Sequence, residues 1–256
     1  MKGRFLSFFY VLLLPFFFSC ANYKEAINFN ITKDAIAQIQ YQNTESVIQK
    51  NDLLSIVVTS KSPEASQIYN LPVGVSRMVS NTEVSGYLVN EDSTIQFPGI
   101  GTLKAAGLTK TQLKDRITQI LLQQKLLLDP IVSVRNLNFK VTVLGEVTRP
   151  TVVNVPSEKI NMLEALGFAG DLTLYANRKN VLLIREESGT RTFKVMNLNS
   201  NEIFSSPYFY LRPNDIIYVQ PNKTKITNAS ALRSWLPVVF STISLASVVL
   251  YRIGRE

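Results

Sequence analysis

Three groups of residues in this 256-residue chain carry side chains capable of chemistry. The first is Cys20, the only cysteine, whose thiol can serve as nucleophile, disulfide partner, metal ligand or lipid acceptor. The others are two adjacent carboxylate pairs, Glu91-Asp92 and Glu186-Glu187, the residue types a glycosidase uses as acid and base. Both pairs sit in turn-like sequence, beside Ser93-Thr94 and Ser188-Gly189, and read as solvated loop charges rather than a convergent couple. The absence of histidine excludes His-based triads, HExxH zinc sites and imidazole proton shuttles. With a single thiol there is no internal disulfide either. The chain is therefore not read as an enzyme, and no catalytic residue, cofactor site or metal site is expected.

The setting of Cys20 gives it a different use. Lys2 and Arg4 form a positive start, Phe5 to Phe18 an apolar stretch, and Ser19 a small residue before the cysteine. Residues 1–19 have the organisation of a signal peptide. The junction resembles the lipobox of bacterial lipoproteins, in which the thiol is diacylated and becomes the new N-terminus; Phe17 and Phe18 stand where Leu and a small residue are more usual. An ordinary cleaved leader with an incidental cysteine is the alternative. Each buried acyl CH₂ contributes roughly 0.8 kcal/mol and one chain binds only marginally, so a multiply acylated Cys20 is a firm anchor. No acidic run follows the cysteine, which by resemblance to other lipoproteins leaves the periplasmic face of an outer membrane as the default.

A second membrane signal lies at Leu236–Tyr251, sixteen residues without a charge, flanked by Arg233 and Trp235 before and Arg252 and Arg255 after. As a helix with Pro237 in its first turn it is about 24 Å long at ~1.5 Å per residue. That is short for a ~30 Å hydrocarbon core but suits a thinner outer membrane with snorkelling arginines. Ser241, Ser244, Ser247 and Tyr251 fall on one helix face. Three readings stay open for that polar face: a helix–helix seam, the lining of a wet lumen, or a plain anchor that tolerates its serines.

The elements between these ends define the fold. Residues 20–48 read as a lipidated linker. Leu53–Val58 is a β-branched strand, and 61–84 a long excursion. Gly86–Asn90 and Thr94–Phe97 read as a hairpin around Glu91-Asp92-Ser93, closed by the turn Pro98-Gly99-Ile100-Gly101. Thr109 and Gln112 form a capping box for a helix that runs to about Leu127, with Leu113, Ile117, Ile120, Leu121 and Gln124 giving one apolar face edged by polar residues. Strands follow at Ile131–Arg135 and Phe139–Val147. A second unit has a strand at Thr151–Val155, a short helix opened by Asn161 and Glu164, paired strands at Val181–Arg185 and Thr192–Val195, and a last strand at Asp215–Val219. Lys223–Ser230 reads as a polar connector. The fold class is α+β: domain one at 49–138, a β-grasp-like domain at 139–222, then the connector and a C-terminal transmembrane helix at 223–256. The formal net charge of +8 is spread without a basic block or interleaved aromatics, so no nucleic-acid partner is expected.

Several stretches together resemble the outer-membrane polysaccharide-export lipoprotein family. They are Asp52-Leu-Leu-Ser-Ile56; Gly86-Tyr87-Leu-Val89; Ile95-Gln-Phe-Pro98-Gly99-Ile-Gly101; Ala106-Gly107-Leu-Thr109; Val143-Leu-Gly145-Glu-Val-Thr-Arg-Pro150; and Leu211-Arg-Pro-Asn-Asp-Ile-Ile-Tyr-Val219. The resemblance covers roughly 49–221; it departs at Asn51-Asp52, where the family has Gly-Asp, and at Thr151 after Pro150, where a Pro-Gly is frequent. Pro98, Gly99 and Gly101 are read as serving a tight turn, Gly107 as a close approach to the helix start, and Gly145 as a bulge. These are structural roles and not sugar contacts.

The resemblance implies a polysaccharide-export domain followed by an SLBB β-grasp domain. It implies a homo-oligomeric ring, an octamer in the well-known member, whose C-terminal helices form a barrel through the outer membrane. A capsular or exopolysaccharide polymer would be threaded through it without catalysis. An inner-membrane polysaccharide co-polymerase, often a tyrosine kinase, would dock beneath. Outer-membrane lipid and the polymer are the remaining expected partners. The alternative is a non-conducting periplasmic binding or scaffold lipoprotein held by lipid and tail.

Overall fold

The computed structural model describes residues 45–70, 78–79, 82–83, 86–187, 189–228 and 231–253. The expected signal peptide, Cys20 and most of the expected linker lie outside the described residues. The first unit begins with β1 (Leu53–Thr59), helix α1 (Pro63–Gln67) and the two-residue strands β2 (Met78–Val79) and β3 (Thr82–Glu83), which pair with each other. It continues through β4 (Tyr87–Leu88), β5 (Thr94–Phe97), β6 (Gly101–Lys104), α2 (Lys110–Gln123) and β7 (Ile131–Asn136).

Alternation along β1 sends Leu54, Ile56 and Val58 inward, and β1 is the centre of an antiparallel sheet ordered β4-β1-β7. Helix α2 packs on it through Leu113, Ile117 and Leu121, each fully buried. Burial of each such side chain is worth about 1.5–3 kcal/mol. The capping box forms as the sequence predicts: the Gln112 N–H donates to Thr109 Oγ1 at 3.1 Å, and the Thr109 N–H donates to Gln112 Oε1 at 2.9 Å.

The second unit runs through β8 (Lys140–Gly145), β9 (Thr151–Asn154), α3 (Met162–Phe168), β10 (Ala176–Glu187), β11 (Thr190–Met196) and β12 (Ile216–Pro221). Its sheet has the order β11-β10-β12-β8-β9, antiparallel except for the parallel β12–β8 pair. Helix α3 opens with a second capping box, Asn161 with Glu164, and sends Met162, Ala165 and Leu166 into the core. The two cores are separate clusters: Ile48 to Val132 in the first unit, Phe139 to Val219 in the second. The architecture is α+β. After β12 come α4 (Lys223–Asn228) and the tail helix α5 (Ala231–Ile253).

Four expectations are corrected. β4 pairs with β1, Leu53 opposite Leu88, while β5 pairs with β6; the expected hairpin is only a turn between strands of different sheets. Alternation says which face is buried and not which strand lies alongside. Helix α2 stops at Gln123 rather than near Leu127, because Lys125 takes a left-handed φ of 54° and the Leu126 N–H returns to the Leu121 carbonyl at 2.9 Å. The polar connector is partly helical: Asn222 Oδ1 accepts from the Lys225 N–H at 3.0 Å and caps α4. The tail helix begins at Ala231, so Pro237 lies inside it and not in its first turn.

Among the described residues, no helix is long and apolar enough to cross a membrane. In α5 the described side chains run unbroken only from Pro237 to Val249, with Ser241, Thr242, Ser244 and Ser247 diluting the apolar ones. The spanning helix expected from the sequence is therefore not among the structural findings.

Candidate functional site

Tyr87, Phe97 and Gly99 of the first unit's motifs meet in one aromatic cluster with Tyr69. Tyr87 stacks on Phe97 with centroids 5.4 Å apart, Tyr69 lies on Phe97 at 6.5 Å, and the Tyr87 hydroxyl donates to the Tyr69 carbonyl at 3.1 Å. Burial pushes the Tyr87 phenol above its ordinary range. Pro98-Gly99 turns the β5–β6 hairpin, with the Ile100 N–H on the Phe97 carbonyl at 3.3 Å. A Cβ on Gly99 would stand 2.8 Å from Tyr69 Cε1, so the turn needs glycine to seat against that ring. Gly86 is crowded too: its Cβ would meet the Leu54 carbonyl oxygen and Leu137 Cδ1 at 3.0 Å. A Cβ on Gly107 would meet nothing within 4 Å, so the glycine there serves its positive φ of 86° and not a close approach. Asn51 holds φ 67°, a conformation Asn tolerates, which accounts for Asn where the resembling family has Gly.

In the second unit Gly145 ends β8 against Val219 of β12 at φ 91°, and a Cβ there would lie 2.0 Å from the Val219 carbonyl oxygen. It marks a close strand crossing and not a bulge; the register irregularity of this sheet lies in β10, between Ala176 and Val181. Pro150 is exposed in the turn before β9, where the Arg149 N–H reaches the Ala169 carbonyl at 2.8 Å.

The two units meet at a polar seam that sequence reasoning missed. Glu158 pairs with Lys110 at the start of α2 and accepts the Asn136 N–H at 3.2 Å. Gln49 Nε2 donates to the Glu186 carbonyl at 3.1 Å. Between them lies a groove edged by Ser46, Ile48, Asp52 and Lys110. Asp52 is buried there; desolvation raises its pKa above the usual carboxylate range, opposed by the Gln49 N–H and the Asn136 side chain.

A buried ion pair was also missed. Arg185 Nε and Nη2 donate to Asp215 Oδ1 and Oδ2 at 2.9 and 2.7 Å, and Nη2 also donates to the Tyr210 carbonyl at 3.2 Å. Asp215 accepts the Arg212 N–H at 2.8 Å, and the Tyr208 ring covers the guanidinium at 5.3 Å. The signal was legible: Val181, Leu183 and Arg185 share the inward face of β10. The carboxylate pairs do not converge. Glu91 binds Asn51, Asp92 binds Thr94, Glu186 binds Arg191, and Glu187 binds Arg212 at 2.5 Å.

At the far end of the second sheet the tail is rooted. Asn222 donates its N–H to the Tyr175 carbonyl at 2.7 Å and its Nδ2 to the Leu174 carbonyl at 3.3 Å. Glu146, mostly buried, pairs with Lys225 of α4 and accepts the Thr173 hydroxyl at 3.0 Å. The Lys225 hydrogen bond, aided by Thr173, holds the Glu146 carboxyl below the usual range against its burial. Along α5 every described side chain is exposed, and Ser241 and Ser247 donate their hydroxyls to the carbonyls of Val238 and Ser244 at 2.8 and 2.7 Å. The Tyr251 side chain and Cys20, the expected lipid site, lie outside the described residues.

Two adjoining β-rich modules, a small export-type unit and a β-grasp-like unit leading to a tail helix, are the class that fold and seam define. Residues 40–137 match the polysaccharide biosynthesis/export protein family and residues 139–219 match the SLBB domain. The chain thus carries a polysaccharide biosynthesis/export domain followed by an SLBB domain. Among curated proteins it is similar to the EPS I polysaccharide export outer membrane protein EpsA of Ralstonia solanacearum, 27% identical over 73% of this chain and 51% of that protein. It is also similar to the protein of the same name from Ralstonia nicotianae, 33% identical over 49% of this chain and 34% of that protein. The chain thus spans about half, or less, of the length of these relatives.

Proposed function

We propose that the protein is the outer-membrane component of a polysaccharide exporter. It is anchored by lipid on Cys20, holds residues 49–138 and 139–222 in the periplasm, and assembles with copies of itself into a ring that passes capsular or exopolysaccharide. The observation that carries the reading is the succession of the two family matches on two adjoining cores, directly followed by the tail helix. The names of the Ralstonia relatives support the polymer and the membrane. The motif residues Gly86, Tyr87, Pro98, Gly99, Gly101, Gly107, Thr109, Gly145 and Pro150 shape the scaffold and do not touch sugar. The protein catalyses no reaction and uses no cofactor. An inner-membrane co-polymerase or tyrosine kinase docks beneath the ring.

On this reading residues 236–251 enter the outer membrane as part of one stave of an oligomeric barrel, where neighbouring copies compensate for a sixteen-residue apolar run. Ser241, Ser244, Ser247 and Tyr251 face the lumen or the seam between staves. One observation favours the second reading, a non-conducting scaffold whose tail is only an anchor: the Ser241 and Ser247 hydroxyls are already satisfied within their own helix and ask for neither water nor partner. Imaging the full chain in mild detergent beside a version truncated after Ser230 separates the two. Closed rings whose membrane cap disappears on truncation support the exporter; monomers in both samples sink it and leave the scaffold.

A further inference from the structure

The two ends of the second sheet differ in chemistry. One end carries the β10–β11 turn, Arg212, Asp215 and Glu158, and meets the first domain through the Lys110–Glu158 ion pair and hydrogen bonds from Gln49 and Asn136. The topology puts the C-terminal ends of β8 and β12 and the N-terminal end of β10 at the opposite end. There the chain exposes large apolar side chains: Phe168 at the end of α3 (63% accessible), Leu174 (79%) and Tyr175 in the loop before β10, and Ile226 on α4 (63%). The Leu174–Tyr175 loop is clamped to the root of the tail by Asn222, and α4 by Glu146 through Lys225. Exposed Arg149 and Lys223 emerge at the same end.

Isolated apolar side chains on a surface need no explanation. Four of them at one end of a domain, on rigid supports beside the root of a candidate membrane helix and next to cations, are the composition of an interfacial contact. We propose that this end of the SLBB domain is a lipid-contact surface: Phe168, Leu174, Tyr175 and Ile226 seat in the headgroup region of the bilayer, with Arg149 and Lys223 on lipid phosphates. The inference rests on the reading that the tail enters the membrane. It adds that the domain is seated on that membrane and does not hang from it by a flexible stem. Trp235, also exposed, follows on the tail helix.

The test uses full-length protein reconstituted into phosphatidylethanolamine/phosphatidylglycerol vesicles, with and without lipids brominated on acyl carbons near the glycerol. The native chain has one tryptophan, Trp235, which reports on the tail. The double variant W235F/L174W moves the reporter to the loop, and W235F/Y175W repeats the measurement from the neighbouring position. Bromolipid is expected to quench most of the emission in the native chain and in both variants. Quenching of Trp235 alone, with the loop reporters emitting as in water, overturns the inference and leaves the tail reading intact. Quenching of none removes the tail reading and the inference with it. Loop reporters that are blue-shifted in detergent but indifferent to bromolipid identify a neighbouring subunit as the occupant and also overturn it.

Discussion

Replacing Gly145 by alanine tests the strand crossing that roots the tail. The residue sits at φ 91°, where an L side chain is strained by about 1–2 kcal/mol. Its Cβ would stand 2.0 Å from the Val219 carbonyl oxygen, so about 1.4 Å of backbone separation (3.4 − 2.0) is needed to reach ordinary contact. That movement pulls Val219 from the Glu146 N–H, now bonded at 2.9 Å, and a buried donor left unpaired costs about 1–3 kcal/mol. With one further weakened bond along the β8–β12 pair, at about 1 kcal/mol, the sum is roughly 3–6 kcal/mol. Gly189 is the control: it lies in the same domain at φ 78° with nothing within 4 Å, so G189A meets the backbone strain alone. Urea unfolding of each variant in detergent, followed by far-ultraviolet circular dichroism, gives the two losses from the same transition. A G145A loss no larger than that of G189A would refute the steric argument. It would mean that the sheet can part at Val219 without penalty.

Other outcomes follow from the same coordinates. Asp215→Ala strands a guanidinium that is about 5% exposed and is expected to lose about 3–5 kcal/mol in urea unfolding, whereas R185M/D215L recovers most of the loss; equal loss in both would show that the charges themselves are needed. Glu158→Gln removes the charge opposite Lys110, and hydrogen exchange at residues 134–138 is expected to quicken with the second core unchanged; unchanged exchange at the seam would count against the clasp. Glu146 has a folded pKa below its unfolded one, so its contribution is present above the ordinary glutamate range and is lost as pH falls through the folded value. Protection factors at 222–228, corrected for the intrinsic pH dependence of amide exchange, are therefore expected to fall on acidification in the native chain and to stay level in E146Q; the same acid response in both would refute the linkage.

Local chemistry was legible in the residues and long-range pairing was not. Thr109 with Gln112 and Asn161 with Glu164 announced both capping boxes, since a cap is an interaction over three residues. The partner of Tyr87-Leu88 lies more than thirty residues upstream in β1, and no local pattern names it. The same limit hid the Lys110–Glu158 clasp, whose ends are ordinary surface charges 48 residues apart in sequence. Asn222 could have been read as a cap, and Arg185 as a charge on an inward face demanding an acid. The polar stripe of the tail was legible as spacing, but the inward bonding of Ser241 and Ser247 depends on rotamers that spacing does not fix. The apolar end of the second sheet comes from loops of different origin, so no periodicity marks it.

Strand β12 is not an edge strand: it lies between β10 and β8, and the chain passes from it into the tail through α4. A pull on the tail is therefore delivered along the axis of a central strand, flanked on one side by an antiparallel ladder and on the other by a parallel one. Under that geometry the cross-strand hydrogen bonds are loaded in shear and share the force, so they cannot be opened one at a time as at a peeled edge. The clamp of Asn222 and the Glu146–Lys225 pair stand ahead of the ladder and take the load first. The domain is wired to transmit tension between tail and seam, a mechanical property set by the position of one strand in the order of the sheet.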